Sequence, residues 1–126
     1  MYKVLIPFTD PESGERAIRQ LLRERSPEDL DVRLLAIAEP PELHHLRRFV
    51  SSAGAEEAAR SAAICWLAKL TPILDAAGVA YRTEIVIGSA RTEIEAALHR
   101  SDVDRVLLPA TAPRWTAAAP PVTLIS

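Results

Sequence analysis

The stretch that decides the fold is YKVLIPFTDPE, residues 2–12. Val4 to Phe8 is a short continuous apolar run, which is typical of a parallel strand covered on both faces. Asp10, Pro11 and Glu12 then predict a helix start, with Asp10 as the N-cap, proline at the first helical position and an acid in the first turn. A buried strand that runs directly into a capped helix is the opening of an α/β fold.

The rest of the chain repeats this alternation of strand and helix patterns. Residues 32–38 (VRLLAIA), 79–87, 105–108 and 122–125 predict further strands. Between them, residues 55–77 predict an alanine-rich helix, and Ser89 is expected to cap a shorter one ending near His99. The order β-α-β-α-β-α-β-β requires right-handed crossovers and a mostly parallel open sheet with helices on both faces. We expect one domain, spanning residues 1–126.

Three details of the long helix are expectations for the structure. Gly78 fits the left-handed position just past the helix end. Pro72 lies inside the pattern and should kink the helix or split off its last turn. Cys65, the only cysteine, lies in an apolar stretch and is expected to be a small buried residue rather than a reactive thiol.

Composition excludes several classes of function. The net charge is −2, with basic residues spread along the chain, so no nucleic-acid partner is expected. One cysteine excludes an internal disulfide framework and a cysteine-based zinc site. The amino terminus lacks the pattern of a signal peptide, and no apolar run could span a membrane, so we expect a cytoplasmic protein with no membrane partner.

No motif points to catalysis or to metal binding. The chain has no Walker-type loop, no Gly-x-Gly-x-x-Gly, no Gly-x-Ser-x-Gly and no His-Glu-x-x-His. The adjacent pair His44-His45 would point in different directions and lies beside Arg47 and Arg48, which favours a polar surface loop. We therefore expect no catalytic residues and no metal site.

Four signatures, taken together, resemble the universal stress protein family. They are YKVLIP at residues 2–7, LLAIAEP at 34–40, AAGV at 76–79 before a strand ending in Gly88, and SDVD at 101–104 before an apolar strand. The resemblance covers residues 1 to about 110. It implies an adenine-nucleotide-α-hydrolase-like fold, a five-stranded sheet in the order 3-2-1-4-5, and a ligand crevice between strands 1 and 4.

The resemblance also implies where an adenine nucleotide would contact this chain. Thr9 stands where ATP-binding members have an aspartate, and Asp10 follows one position later; Asp10 is equally explained as the cap of the first helix. Ile37 matches the position whose backbone meets adenine. Gly88 matches the glycine that ends strand 3, although a tight turn explains it as well. These four residues form the candidate adenine and ribose half of a site.

The phosphate half of the family's site is missing from the sequence. The family places a Gly-x-x-Gly turn after strand 4 and a further glycine at the start of a last helix, because glycine lets backbone amides wrap an anion. The four glycines of this chain end with Gly88, and Pro109 and Ala112 stand at the turn positions. Only nine residues separate Ala112 from Val122, three of them proline, so a last helix is not expected.

We therefore expect a small regulatory or interaction domain of the stress response that does not bind ATP in the family's manner, has no cofactor and is not an enzyme. One alternative is an ATP- or AMP-binding protein, or a weak ATPase, with a rebuilt phosphate site. Another is a sensor of an unknown small ligand, with Trp115 and the 110–121 loop lining the pocket. By resemblance, the last strand is expected to pair two copies into a homodimer through Val122, Thr123, Leu124 and Ile125.

Overall fold

The computed structural model describes residues 1–40, 52–100, 102–109 and 122–125, with the backbone alone described for residues 52, 53, 109 and 122–125. Strands and helices alternate along the chain, and a short 3-10 turn, Pro27–Asp29, precedes the second strand. The elements are β1 (Tyr2–Phe8), α1 (Pro11–Glu24), β2 (Leu30–Ala38), α2 (Ser52–Ala77), β3 (Ala80–Ile87), α3 (Ala90–Leu98), β4 (Arg105–Pro109) and β5 (Val122–Ile125).

All strand pairs are parallel, and the sheet order is β3-β2-β1-β4-β5. β1 lies in the middle, with Phe8 opposite Ala36 of β2 and Leu5 opposite Val106 of β4. Strands β1, β2 and β4 supply the buried side chains of the sheet, and β3 adds half-buried ones. β5 is a four-residue segment paired with β4. The predicted α/β architecture, a parallel sheet with helices, is confirmed.

Two apolar clusters cover the two faces of the sheet. The larger one packs α1 and α2 against side chains such as Val4, Ile6 and Phe8 of β1. The smaller one packs α3 against the opposite face, where Leu5 of β1 meets Ile37 of β2. Because successive side chains of a strand point to opposite faces, burial on both faces explains the continuous apolar runs of β1 and β2.

The start of α1 and the end of α2 lie where the sequence predicts them. The Asp10 carboxylate accepts a hydrogen bond from the Ser13 N–H at 2.8 Å, and Pro11 opens α1. At the end of α2, Gly78 has a φ of 74°. The Gly78 N–H donates to the backbone carbonyl of Asp75 at 3.1 Å, and the Val79 N–H donates to that of Leu74 at 3.0 Å. These are the two bonds of a Schellman motif.

For α2, the prediction of a buried Cys65 is wrong, and one of the two alternatives for Pro72, a split helix, is excluded. Cys65 is exposed, because it lies two residues, or about 200° of helix rotation, from the fully buried Ala63. Pro72 does not split the helix, which continues from Ser52 through Ala77. Pro72 is exposed, so its ring faces solvent on the outer side of the helix. None of the helices in the described ranges is long and apolar enough to cross a membrane.

Candidate functional site

The candidate site is the carboxyl edge of the sheet, where the strand order changes direction. From β1 the chain first adds strands on the β2 side and later adds β4 on the other side, so the topological switch lies between β1 and β4. Loops that leave two neighbouring parallel strands in opposite directions open a crevice at such a point, and ligands of open α/β sheets bind there. Thr9, Ile37, Gly88 and Pro109 all lie at or directly beyond the carboxyl ends of their strands.

Thr9 and Asp10 follow β1, and the structure gives them different roles. The Asp10 carboxylate is engaged by the Ser13 N–H, while the Asp10 carbonyl accepts the Ser13 hydroxyl at 3.2 Å and the Gly14 N–H at 3.4 Å. Asp10 therefore caps α1, as one of its two interpretations predicted. Thr9 is half-buried and makes none of these capping bonds, which leaves its hydroxyl as the polar side-chain group that β1 offers to the crevice.

The first turn of α1 lies close against the sheet and α2. Gly14 is buried, and a Cβ at this position would lie 2.7 Å from Cδ1 of Leu70 and 3.3 Å from the Phe8 ring. Phe8 and Leu70 are themselves buried almost completely. The missing side chain at Gly14 therefore lets α1 begin directly above the end of β1, and this fixes the Thr9–Asp10 turn at the edge of the crevice.

Ile37 presents its backbone, not its side chain, to the switch point. Its side chain is fully buried in the smaller cluster. The neighbouring Ala38 carbonyl accepts the Gly88 N–H at 3.0 Å, so the backbone groups of Ala38 face β3. Because backbone groups of successive strand residues point to opposite sides, the N–H and C=O of Ile37 face β1. The β1–β2 ladder extends to Phe8 opposite Ala36, so the Ile37 N–H belongs to the ladder, and its C=O lies beyond the last paired residue of β1.

Gly88 lies one strand further away, at the end of β3, and its neighbourhood contains a residue that the sequence analysis missed. The Ala90 N–H donates to the Glu39 carboxylate at 2.6 Å, so Glu39, and not Ser89, satisfies the first turn of α3. The prediction of Ser89 as a side-chain cap is therefore wrong, since its side chain makes no capping bond. Glu39 links the ends of β2 and β3 across the carboxyl edge. The sequence feature that indicates this role is an acidic residue directly after a strand.

On the other side of the switch point, β4 ends in Pro109. Proline has no N–H, so this position offers no donor to a phosphate, and the ring fixes φ near −65°. Ala112, Trp115, the 110–121 loop and the His44-His45 pair lie outside the described residues. Within the described ranges, no three His, Cys, Asp or Glu side chains are grouped closely enough to hold a metal ion.

Away from the crevice, an ion-pair network fixes the segment that leads into β4. The Asp102 carboxylate accepts from Arg33 of β2, and from Arg100 at 2.8 Å (Nη2) and 3.0 Å (Nε). Arg100 also donates to Glu84 of β3 at 3.1 Å. The hydrogen bonds from Arg100 lower the pKa of Asp102 to about 2. The network links β2, β3 and the α3–β4 connection on the face that α3 covers, and sequence reasoning did not find it.

The opposite, amino edge of the sheet carries a wide, open depression of about 620 Å³ lined by Met1, Tyr2, Arg25, Asp29 and Asp104. The Arg25 guanidinium lies 3.5 Å above the centre of the Tyr2 ring, which is a cation–π contact that uses both groups. Asp104 is joined to Lys3 by two hydrogen bonds of 2.8 Å. Arg25 and Asp104 are thus already engaged within the chain, which makes the depression a weaker candidate than the carboxyl edge.

Chemically, the described residues of the carboxyl edge offer hydrogen-bonding groups. Ile37 supplies its C=O, Thr9 its hydroxyl, and Ser89 an exposed hydroxyl. The Glu93 carboxylate lies beside Gly88, 3.2 Å from where a Cβ would stand there. The carboxylates of Asp10 and Glu39 are used by helix termini. Carbonyl and hydroxyl groups of this kind can hydrogen-bond to the edge of a small planar molecule.

Comparison with known proteins gives one family and one fold. A family model described as the universal stress protein family matches residues 1–118. No curated protein sequence matches the chain significantly. Three similar solved structures are hypothetical protein MJ0577 (TM-score 0.75, 17% identity), hypothetical protein PH0823 (0.70, 22%) and universal stress protein UspA from Lactobacillus plantarum (0.74, 15%). The alignments cover 98%, 98% and 99% of this chain and 94%, 94% and 97% of those chains. At these identities the structural likeness shows the fold.

Proposed function

The chain belongs to the universal stress protein family, and from this premise we propose that it is a small regulatory or interaction domain that does not bind ATP in the family's manner. Family membership supports a function of the stress-response type. That the chain does not bind ATP is argued from the residues at the carboxyl edge. Its adenine-nucleotide-α-hydrolase-like fold and its action in the cytoplasm are proposed from the sequence pattern.

One observation carries the proposal: β4 ends in Pro109 at the switch point, and no glycine follows Gly88. A phosphate bound by backbone needs several N–H groups directed at one point, and glycines provide the conformations that direct them. Proline removes one donor, and the Cβ of an alanine hinders the positive-φ backbone that the turn uses. The chain thus retains a backbone surface for adenine and lacks the motif for a triphosphate.

Calorimetric titration of the purified chain with ATP and Mg²⁺ tests this proposal. We expect no measurable heat of binding up to high micromolar nucleotide, and no release of phosphate on prolonged incubation. A family member with the complete Gly-x-x-Gly turn, titrated under the same conditions, is the positive control. Saturable, magnesium-dependent binding of ATP by this chain would contradict the proposal and favour a rebuilt phosphate site.

A second candidate function is recognition of adenosine or AMP through the adenine half alone. It is favoured by the inward-facing backbone of Ile37 and by the half-buried Thr9. Without a phosphate site, the affinities for adenosine, AMP and ATP should be equal within about threefold, which corresponds to less than 1 kcal/mol. An affinity that rises from adenosine to ATP would show that the phosphates are recognised and would exclude this candidate.

We further propose that two copies pair through β5, as the family resemblance implies. β5 pairs with β4 from Val106↔Val122 to Pro109↔Ile125 and stands at the end of the strand order. Its other side is therefore a sheet edge within the described residues, and an edge of apolar sequence is stabilised by pairing. Substituting Thr123→Pro should abolish this dimer in sedimentation velocity. A wild-type chain that gives the same mass as T123P at all concentrations would contradict β5 pairing.

A further inference from the structure

The second edge of the sheet is β3, and its backbone geometry is defined by one hydrogen bond. Since the Gly88 N–H donates to the Ala38 carbonyl, every second residue back along β3 also faces β2. The residues between them, Tyr81, Thr83, Ile85 and Ile87, direct their N–H and C=O groups outward. No strand in the described ranges pairs with this outer side. β3 is eight residues long, twice the length of β5, and so presents the longer edge.

We propose that this edge binds β3 of a second copy of the chain, antiparallel and centred on Thr83. The sequence around Thr83 is self-complementary in this register. Thr83 lies opposite the partner's Thr83, Arg82 lies opposite the partner's Glu84, and Tyr81 lies opposite the partner's Ile85. Threonine pairs, opposite charges and aromatic–β-branched pairs are the cross-strand combinations that stabilise antiparallel sheets. Thr83, Tyr81 and Ile85 are also the outward-facing residues, so they form the hydrogen-bonded pairs of the new ladder.

The charges on the α3 face of β3 favour this partner over an unrelated strand. Arg82 is exposed and lies next to Arg33 of β2 in the register, and like charges on neighbouring strands repel each other. No carboxylate in the described part of the chain lies within ion-pair distance of Arg82. The partner's Glu84 supplies one. Glu84 is half-exposed although it bonds Arg100, so its carboxylate has room for a second cation.

The other face of the same edge carries apolar side chains beside α2. The Tyr81 hydroxyl is hydrogen-bonded to Asp75 and Thr71, so this turn of α2 lies over the start of β3. Four residues further along β3, about 13 Å, is Ile85. α2 runs antiparallel to β3, so the same distance corresponds to about nine residues back along α2 from the turn that contacts Tyr81. This position is the turn that contains Ile64. Ile64 is 54% exposed, the only large apolar side chain besides Met1 that is exposed in the described residues. It flanks the proposed interface.

Charge exchange between two variants tests this interface, with sedimentation velocity over a concentration series as the readout. Arg82→Glu places a carboxylate opposite the partner's Glu84, and Glu84→Arg places a guanidinium opposite the partner's Arg82. Each variant alone should self-associate at least about tenfold more weakly than the wild type, because two attractive pairs become repulsive. An equimolar mixture of R82E and E84R restores opposite charges across the interface, so it should form heterodimers. R82K, which keeps the charge, is the matched control and should behave like the wild type.

The result is independent of pairing through β5. If both edges pair, the wild type forms assemblies larger than a dimer, because each chain joins two partners, and R82E stops at the β5 dimer. If only β3 pairs, R82E is a monomer. Equal masses of wild type and R82E at every concentration, or a mixture that associates no better than its components, would overturn the proposal. R82E alone decides the outcome if E84R, which also loses its bond to Arg100, does not fold.

Discussion

Replacing Asp102 with asparagine should destabilise the fold measurably, because this carboxylate joins two arginines. The Arg33 side chain is only 14% exposed and the Arg100 side chain 24%, so both lose much of their hydration in the folded chain. Nε of Arg33 is buried without a hydrogen-bond partner among the described residues. Asparagine keeps the shape of the side chain but removes the charge that compensates these guanidinium groups.

The magnitude follows from the lowered pKa of Asp102, about 2 against a usual 3.8. A difference of this size corresponds to about 2.4 kcal/mol at full strength. The Asp102 side chain is 46% exposed, and water screening reduces the contribution to about 1 kcal/mol. The incomplete solvation of Arg33 adds a comparable amount. We expect D102N to lose about 1–2 kcal/mol of unfolding free energy, or about 5 °C in Tm.

Urea unfolding at several pH values is the assay, with Glu15→Gln as the matched control. Glu15 pairs with Arg19 on the exposed face of α1, and such a pair contributes only about 0.3–0.5 kcal/mol. Because the pKa of Asp102 is lower in the folded chain than in the unfolded chain, its contribution is complete above about pH 4 and is lost as the pH falls towards 2. The reasoning is refuted if D102N costs no more than E15Q at pH 7, or if the D102N difference persists unchanged at the acid end.

Three further outcomes follow from the local structure. Gly78→Ala should cost about 1 kcal/mol in urea unfolding because φ is 74°, with Gly78→Asn costing less; equal stability of G78A and wild type would contradict the left-handed cap. Glu39→Ala should lower the free energy of unfolding by about 1 kcal/mol, because the Ala90 N–H loses its acceptor. Ser89→Ala should leave it nearly unchanged, and the reverse ranking of the two variants would exclude Glu39 as the cap. Cys65 is exposed and should react with a thiol reagent in the native chain at the rate of an unfolded control; strong protection would place it in the interior.

The sequence predicts the parts of the fold that depend on local chemistry. Asp10 and Pro11 mark the start of α1, and Gly78 marks the end of α2, because a capping side chain or a positive φ restricts the residue types at those positions. The alternation of strand and helix patterns predicts parallel strands, and the handedness of crossovers limits their order. The error at Cys65 was avoidable, since the rotation that buries Ala63 and Leu67 places Cys65 on the outer side of the helix.

Features that join distant parts of the chain could not be predicted in this way. Asp102 and Arg33 are 69 residues apart, and Glu39 and Ala90 are 51 apart. Neither pair has a spacing that indicates contact. Glu39 reaches Ala90 because parallel strands bring their following segments to the same edge of the sheet, and Asp102 reaches Arg33 because the α3–β4 connection passes beside β2. Ile37 illustrates the same limit at the candidate site. Its apolar side chain predicts only burial, and the direction of its backbone groups becomes known from the β2–β3 register.

The most direct test of the central claim is phosphorus NMR of ATP and Mg²⁺ titrated with the purified chain. It observes the phosphates themselves, and so it separates recognition of the triphosphate from recognition of adenine. With Pro109 at the end of β4 and no glycine after Gly88, the β- and γ-phosphate resonances should keep their position and width, even if adenine protons respond. Saturable shifts or broadening of the phosphate resonances would contradict the account.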